Sequence, residues 1–341
     1  MSDNPHPNLM NMPEFFLKSI LNKLDVQSVQ TMRKVSPTFR YYVDHSRLDS
    51  RILKISVFLQ SPEKISLDLK TANDLFEIEY LKNGENGCFV KYRNTSKEVT
   101  CQNIATTLGN DLGLILKKQL SVVKEFSLMC NENCLTTTCD EFVGALSGKL
   151  AERESPFKLK TLSWEGSIDE GQIMPLLSHC DRIHINKIEL QRLNKSSELR
   201  PLLGVEEILN SPQWGRIKTF EAVGFVVANQ MRHFTHLTSA NFLIETVTTE
   251  DIMTLRQTAL QTTRFNEFSF SYVNFTDETQ LFGLFGQPHR TEHMKNKWIY
   301  KYPGGRDALL VIWETNRFKF SHIHPRSFDK FGIPKHDLVV L

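Results

Sequence analysis

The sequence of 341 residues lacks the features that mark membrane-spanning and secreted proteins. No apolar run approaches the roughly 20 residues that span a bilayer. The first eleven residues, with two prolines and an aspartate among them, are not expected to form a signal peptide. The six cysteines are too sparse for a disulfide framework. We therefore expect a protein of the cytosol, the nucleus or both, with reduced thiols.

The chain also lacks a strong charge of either sign and the motifs of the common enzyme classes. A formal net charge of +2 provides no general attraction to nucleic acid or to an anionic membrane. No Gly-x-Ser-x-Gly, P-loop, Gly-x-Gly-x-x-Gly or kinase motif occurs. The only cysteine cluster, Cys130, Cys134 and Cys139, contains no Cys-x-x-Cys pair, so a zinc site is not expected even with His179-Cys180 as a further ligand. These absences predict a protein without catalytic residues, metal or cofactor.

What the chain does contain is enough apolar material for more than one domain. Its length predicts two or three domains, and its 40% apolar and 23% charged residues are ordinary for a soluble globular protein. The 23 phenylalanines indicate a core rich in aromatic packing.

The chain is organised around residues 12–46, which predict three short helices. Pro13 fits the first turn of the first helix, and Ser36-Pro37 fits the start of the third. Apolar residues recur between these points at helical spacing. So small a unit cannot bury this much apolar surface by itself, so we expect one face to bind a partner.

The same residues match, in order, the pattern of an F-box. Met12-Pro13 stand where that family has Leu-Pro, and Ile20-Leu21, Leu24 and Val35 occupy apolar positions of the first two helices. Ser36, Phe39 and Tyr42 fit the third helix, with Phe39 where many members have Trp. The segment therefore resembles an F-box from end to end, which implies docking on the Skp-type adaptor of a cullin-based (SCF) ubiquitin ligase. Three helices of an ordinary core are the alternative.

The resemblance assigns adaptor binding to the apolar residues of the segment. They are Met12, Pro13, Phe16, Leu17, Ile20, Leu21, Leu24, Val29, Met32, Val35, Phe39 and Tyr42. Basic residues lie between them: Lys18, Lys23, Arg33, Lys34 and Arg40. Such basic residues more commonly form a solvated helix face, or a face that steers the protein towards an acidic adaptor, than a stripe that binds nucleic acid. We therefore expect neither a direct nucleic-acid partner nor a membrane.

Beyond residue 50 the spacing of apolar residues changes from the helical period to the alternation typical of strands. Alternation predicts strands over residues 52–59, 65–69, 76–81 and 88–93, with a hairpin turn at residues 83–87. These strands form a small antiparallel sheet within a connecting segment, residues 47–122. A helix follows over residues 108–120, although Gly109 and Gly113 weaken its prediction.

From residue 125 to 275, strand-like and helical stretches alternate at intervals of about 20 to 35 residues. This alternation favours a curved, leucine-rich-repeat-like α/β stack with a parallel sheet, and an ordinary α/β sandwich is the alternative. Residues 276–341 predict a β hairpin, a third strand over 317–323 and a loosely held tail. With residues 1–11 as a flexible tail and 12–46 as the F-box, the predicted fold class is mixed α+β and α/β.

Four stretches of this region support a second resemblance. They are residues 211–220 (Ser-Pro-Gln-Trp-Gly-Arg-Ile-Lys-Thr-Phe), 231–241 with His233-Phe234, 249–255 with Thr-Glu-Asp-Ile, and 265–272. Together with the upstream F-box they resemble the FTH domain, which accompanies F-boxes in a large nematode family, the A-type F-box proteins. The resemblance covers roughly residues 125–275 and implies recognition of a target or partner without catalytic residues.

Three functions are compatible with these patterns. The first is a substrate-recognition subunit, whose F-box binds a Skp-type adaptor and through it a cullin, while residues 125–341 bind an unidentified target protein. The second is a non-degradative F-box scaffold in a regulatory complex, for instance with an RNA-binding partner. The third is an enzyme in the α/β region, which has the least support because no constellation of acid, base and nucleophile occurs.

Overall fold

The N-terminal segment contains two described helices. The computed structural model describes residues 12–21, 24, 28–29, 32, 35–45, 49–84, 87–132, 134, 136–166, 170–193, 200–262, 265–288, 290–292 and 295–327. Helix α1 (Glu14–Leu21) follows Pro13, whose carbonyl accepts from the amides of Phe16 and Leu17 at 2.9 and 3.2 Å. Helix α2 (Pro37–His45) is capped by Ser36, whose hydroxyl oxygen accepts from the Phe39 amide at 3.2 Å. The predicted helix between them falls largely outside the described residues.

Beyond residue 49, the part of the chain that the structure describes builds one sheet of sixteen strands. In chain order they are β1 (Lys54–Ser61), β2 (Lys64–Lys70), β3 (Leu75–Lys82), β4 (Gly87–Tyr92), β5 (Thr95–Thr100), β6 (Val123–Cys130), β7 (Leu159–Glu165), β8 (Lys187–Gln191), β9 (Leu202–Leu203), β10 (Thr219–Val227), β11 (Ser239–Val247), β12 (Glu267–Phe275), β13 (Arg290–Glu292), β14 (Lys295–Lys301), β15 (Ala308–Glu314) and β16 (Arg317–Ile323). Across the sheet the order is β13-β14-β15-β16-β12-β11-β10-β8-β7-β6-β1-β2-β3-β4-β5, and β9 pairs with β10.

The centre of the sheet is parallel and both of its ends are antiparallel. The central strands run parallel to one another, in the order β1, β6, β7, β8, β10, β11 and β12. Helices lie in most of the connections, as parallel pairing requires a crossover. Those between β5 and β12 are α3 (Ile104–Lys117), α4 (Thr136–Ala151), α5 (Glu170–Leu177), α6 (Glu206–Asn210) and α7 (Thr249–Gln261), and α8 (Leu281–Phe285) follows β12. Short 3-10 helices at Trp214–Arg216 and Met231–Phe234 lie in the connections before β10 and β11.

Helix α3 shows why two glycines occur in an otherwise good helix. Its start is capped by Asn103, whose side-chain oxygen accepts from the Thr106 amide at 2.8 Å. A Cβ atom at Gly109 would lie 2.7 Å from the Cβ of Ala145 and 2.8 Å from the carbonyl oxygen of Phe142. The glycines therefore allow α3 and α4 to approach closely, which outweighs their low helix propensity.

Aromatic side chains connect the parallel centre to the C-terminal strands. Ring centroids are 6.0 Å apart for Phe220 and Phe242, 6.3 Å for Phe242 and Phe270, and 5.6 Å for Phe270 and Phe318. The series ends at Trp313, whose ring is stacked on Phe318 at 5.8 Å. These contacts cross β10, β11, β12, β16 and β15 in turn, so one core lies behind all five strands.

The alternation of apolar residues predicts most strands at their observed places, but the division of these strands into separate sheets was wrong. It assigned residues 47–122 and 276–341 to separate small β segments, whereas β1 pairs with both β2 and β6, and β12 pairs with both β11 and β16. The elements β5, β9, β13 and α8 were not predicted, because β5 is polar and the other three are no more than five residues long. Within the described residues, no helix has the length and apolar character needed to cross a membrane.

Candidate protein-binding surfaces

The first candidate surface belongs to the N-terminal helices, which have a small core of their own. Leu17 and Leu21 of α1 pack with Phe39 and Val43 of α2, and each of these four side chains is at most 8% exposed. Partly buried residues pack around this cluster: Leu24, Val29, Met32 and Tyr42. Seven of the twelve residues assigned to adaptor binding are therefore brought together as an internal cluster.

Other large apolar side chains of the same segment face solvent. Those with the greatest exposure are Met12 at 41%, Phe15 at 75%, Phe16 at 58%, Val35 at 68% and Tyr41 at 66%. The rings of Phe15 and Phe16 touch edge to face, with centroids 5.8 Å apart. Pro13 is also exposed, and Ile20 is half-buried. We name Met12, Phe15, Phe16, Val35 and Tyr41 the exposed apolar set.

Two members of this set, Phe15 and Tyr41, were missed in the sequence. Apolar residues spaced three and four positions apart identify the helix face that packs inwards. Phe15 and Tyr41 lie beside that face in the sequence pattern. Their aromatic character in so small a unit was the available signal, because an isolated soluble unit rarely exposes several large apolar side chains together.

The segment is attached to the large sheet near the C-terminal end of α3. The Lys118 ammonium donates to the Val43 carbonyl oxygen at 2.5 Å. The Asp49 carboxylate accepts from the amides of Leu120 and Ser121, both at 3.0 Å. Gln119 accepts from the Ile52 amide at 3.0 Å and donates to the Ile52 carbonyl at 3.1 Å. Residues 49–52 are thus held by the body of the protein, through polar contacts.

The second candidate surface is the polar face of the parallel sheet. Side chains on one face are buried in the core, while in-register side chains on the other face are mostly half-buried and polar. One row across the strands is Ser56, Ser127, Ser163, Glu189, Glu221, Asn241, Ser269 and Lys319. The adjacent row is Lys54, Glu125, Thr161, Lys187, Thr219, Ser239, Glu267 and Ser321. We name these two rows the polar sheet face.

Ion pairs link charges within the polar sheet face. The Lys187 ammonium lies 2.5 Å from a Glu189 carboxylate oxygen and 2.9 Å from one of Glu221. Partial burial works to lower the pKa of Lys187, but the two carboxylates outweigh it and leave that pKa above its usual value. Lys54 pairs with Glu125 at 2.8 Å and Lys319 pairs with Glu267 at 3.0 Å. The face therefore combines mixed charge with small hydroxyl side chains, which suits recognition of a polar protein surface.

A serine and a histidine also meet, but their hydrogen bonds do not suit catalysis. The Ser147 hydroxyl donates to the Pro175 carbonyl oxygen at 3.0 Å, and its oxygen lies 3.1 Å from Nε2 of His179. Because the single hydroxyl proton is used by Pro175, Nε2 must donate to Ser147, the reverse of a general base. Burial lowers the pKa of His179, which fits a neutral structural imidazole.

A cavity of about 340 Å³ lies beyond the ends of β6 and β7. Its walls include Cys130, Cys134, Cys139, Gln172 and Arg192. The Sγ atoms of Cys130 and Cys139 are 3.7 Å apart, so the two thiols are in contact without a disulfide bond. Sequence spacing had identified the cluster, and the fold brings its members to one cavity.

Comparison with protein families identifies both regions. The F-box domain model matches residues 9–51, and the FTH domain model matches residues 140–288. The chain therefore carries an F-box domain followed by an FTH domain, which confirms both resemblances, and no catalytic family is indicated. The chain matches no curated protein and no solved structure. An F-box domain implies binding to a Skp-type adaptor and, through it, to a cullin.

Proposed function

We propose that this protein, in which an F-box domain precedes an FTH domain, is the substrate-recognition subunit of an SCF-type ubiquitin ligase. It performs no chemical step itself and acts by holding a target protein beside the ligase. The observation that carries the proposal is the exposed apolar set on the matched F-box. An apolar surface of this kind on a soluble protein is typical of a protein interface.

In this proposal, the exposed apolar set contacts the adaptor, and the internal cluster holds the two helices in the arrangement that presents this set. Burying a side chain of the size of Phe16 or Met12 contributes about 1.5 to 3 kcal/mol. Aromatic residues are frequent among the few side chains that dominate binding energy. Leu17, Leu21 and Phe39 then act indirectly, because they hold α1 and α2 in place.

The polar sheet face is our candidate for target binding. Its support is the succession of parallel strands β6, β7, β8, β10, β11 and β12 in chain order, with helices or 3-10 turns in the connections. A leucine-rich-repeat-like arrangement of this kind presents one continuous face of side chains. We propose that targets dock there through hydrogen bonds and paired charges around Lys187 and Glu221.

The adaptor assignment is tested with the full-length chain and a purified Skp-type adaptor. Phe16→Ala removes an exposed ring, so we expect adaptor affinity to fall more than tenfold, which corresponds to about 1.4 kcal/mol or more, with an unchanged melting temperature. Ile183→Ala is the matched control, because Ile183 is 75% exposed and lies outside the F-box. Equal adaptor affinity of the Phe16→Ala variant and the wild type would refute the assignment.

The ligase role is tested separately, after cross-linked capture of partners from native extract. A captured target should receive ubiquitin in a reconstituted ligase containing the wild-type chain and should not with Phe16→Ala. Capture of a partner together with the adaptor and cullin, but without ubiquitin transfer, would favour the scaffold function instead.

A further inference from the structure

Three of the six thiols meet at the cavity beyond β6, which is separate from the F-box surface. Cys130 is the last residue of β6, Cys139 lies in the first turns of α4, and Cys134 lies in the loop between them. Cys130 and Cys139 are both almost fully buried where they line the cavity, and Cys134 is half-buried.

The backbone near Gly166 fixes one side of this pair. Gly166 has a φ of 142°, and a Cβ atom there would lie 2.6 Å from the Cys130 carbonyl oxygen and 2.9 Å from the Cys130 Cβ atom. The end of β7 therefore packs directly against the Cys130 backbone. With its main chain held in this way, the Cys130 thiol stays 3.7 Å from the Cys139 thiol.

The other two thiols that line the cavity, those of Cys134 and Cys139, both favour the protonated form. The hydrogen bond with Cys130 and burial raise the pKa of Cys139, and burial raises the pKa of Cys134. A zinc ion binds cysteine as thiolate, so it would have to displace these protons in a poorly solvated place. A neutral compound that replaces the thiol hydrogens by condensation meets no such cost.

We propose that Cys130 and Cys139 form a dithiol site for a neutral, thiophilic compound of trivalent arsenic. For an organic arsonous acid, each As–OH bond is exchanged for an As–S bond, and each thiol proton leaves with the hydroxide as water. Two thiols thus yield two water molecules and one cyclic dithioarsenite, with no change of oxidation state. The cavity provides about 340 Å³ for the organic substituent, next to Gln172 and Arg192.

The pair matters because a single thiol holds such a compound weakly. After the first As–S bond forms, the second thiol is already in contact, so the second bond forms at a high effective concentration. Linked binding of this type strengthens affinity on the order of a hundredfold to ten-thousandfold over one site alone.

The test uses the full-length protein, reduced with a phosphine, and phenylarsonous acid as the probe. Native mass spectrometry and a thiol count should show one adduct per chain and the loss of two reactive thiols. We expect Cys139→Ser to weaken binding on the order of a hundredfold. Cys101→Ser is the control and should bind as the wild type does, since Cys101 is exposed and outside the cavity.

Cys130→Ala tests the same pair from the other side, in case Cys139→Ser lowers the melting temperature. The adduct should also raise the melting temperature of the wild type, because it binds only the folded arrangement tightly. Wild-type affinity in Cys139→Ser or Cys130→Ala, or an adduct that maps to Cys88, Cys101 or Cys180, would overturn the proposal.

Discussion

The contact between α3 and α4 makes a sharp prediction for Gly109→Ala. An alanine Cβ atom would lie 2.7 Å from the Ala145 Cβ, 2.8 Å from the Phe142 carbonyl oxygen and 3.0 Å from the Leu146 amide nitrogen. Two of these three atoms belong to the backbone of α4, which no side-chain rotation can move. The helices must therefore separate to accept one methyl group.

Two opposing effects determine the magnitude. Replacing glycine by alanine inside a helix stabilises it by about 0.5 to 1 kcal/mol. Overpacking a tight interior costs typically about 1 to 3 kcal/mol, and the rigid backbone contacts place this site in the upper part of that range. We therefore expect Gly109→Ala to lower the free energy of unfolding by about 1 to 2 kcal/mol, although it improves helix propensity.

Gly144→Ala in α4 is the matched control. Apart from the adjacent residues and the backbone of α4 itself, no atom lies within 4 Å of a Cβ at Gly144, so only the helix-propensity effect remains. This variant should raise the free energy of unfolding by up to about 1 kcal/mol. Thermal and urea unfolding followed by circular dichroism measure both. A stabilised Gly109→Ala variant would show that α3 and α4 do not pack as described.

Three further predictions concern pH, metal and modularity. Burial raises the pKa of Asp111 more than its hydrogen bond from Tyr80 lowers it, so this carboxyl favours the folded state when protonated. The stability that Asp111 contributes is therefore lost as pH rises through the raised pKa. The melting temperature of the Asp111→Asn variant, measured relative to that of the wild type, should increase from pH 3 to pH 7. A difference between the two melting temperatures that stays constant with pH would contradict this. Elemental analysis should find no stoichiometric zinc, and one zinc per chain that is lost in Cys134→Ser would refute this. A chain starting at Ser46 retains Asp49 and Ile52 with their partners, so it should stay folded and monomeric while losing the adaptor. Aggregation of that chain would show a shared core.

Short-range patterns in the sequence were sufficient for the F-box and for most strands. Residues 65–69 and 159–164 alternate with period two, and β2 and β7 lie at those places. Ser36-Pro37 marks the start of α2 correctly. These features depend on neighbours within a few residues, which a single sequence displays directly.

Long-range pairing was decided by the tertiary structure. That Lys54 pairs with both Lys70 and Glu125, and so joins two predicted β segments into one sheet, has no local signature. The same holds for the F-box stripe, in which Leu17 is buried and Phe16 is 58% exposed although both are large, apolar and adjacent. Burial depends on which other elements cover a side chain, and that is settled only when distant parts of the chain pack together.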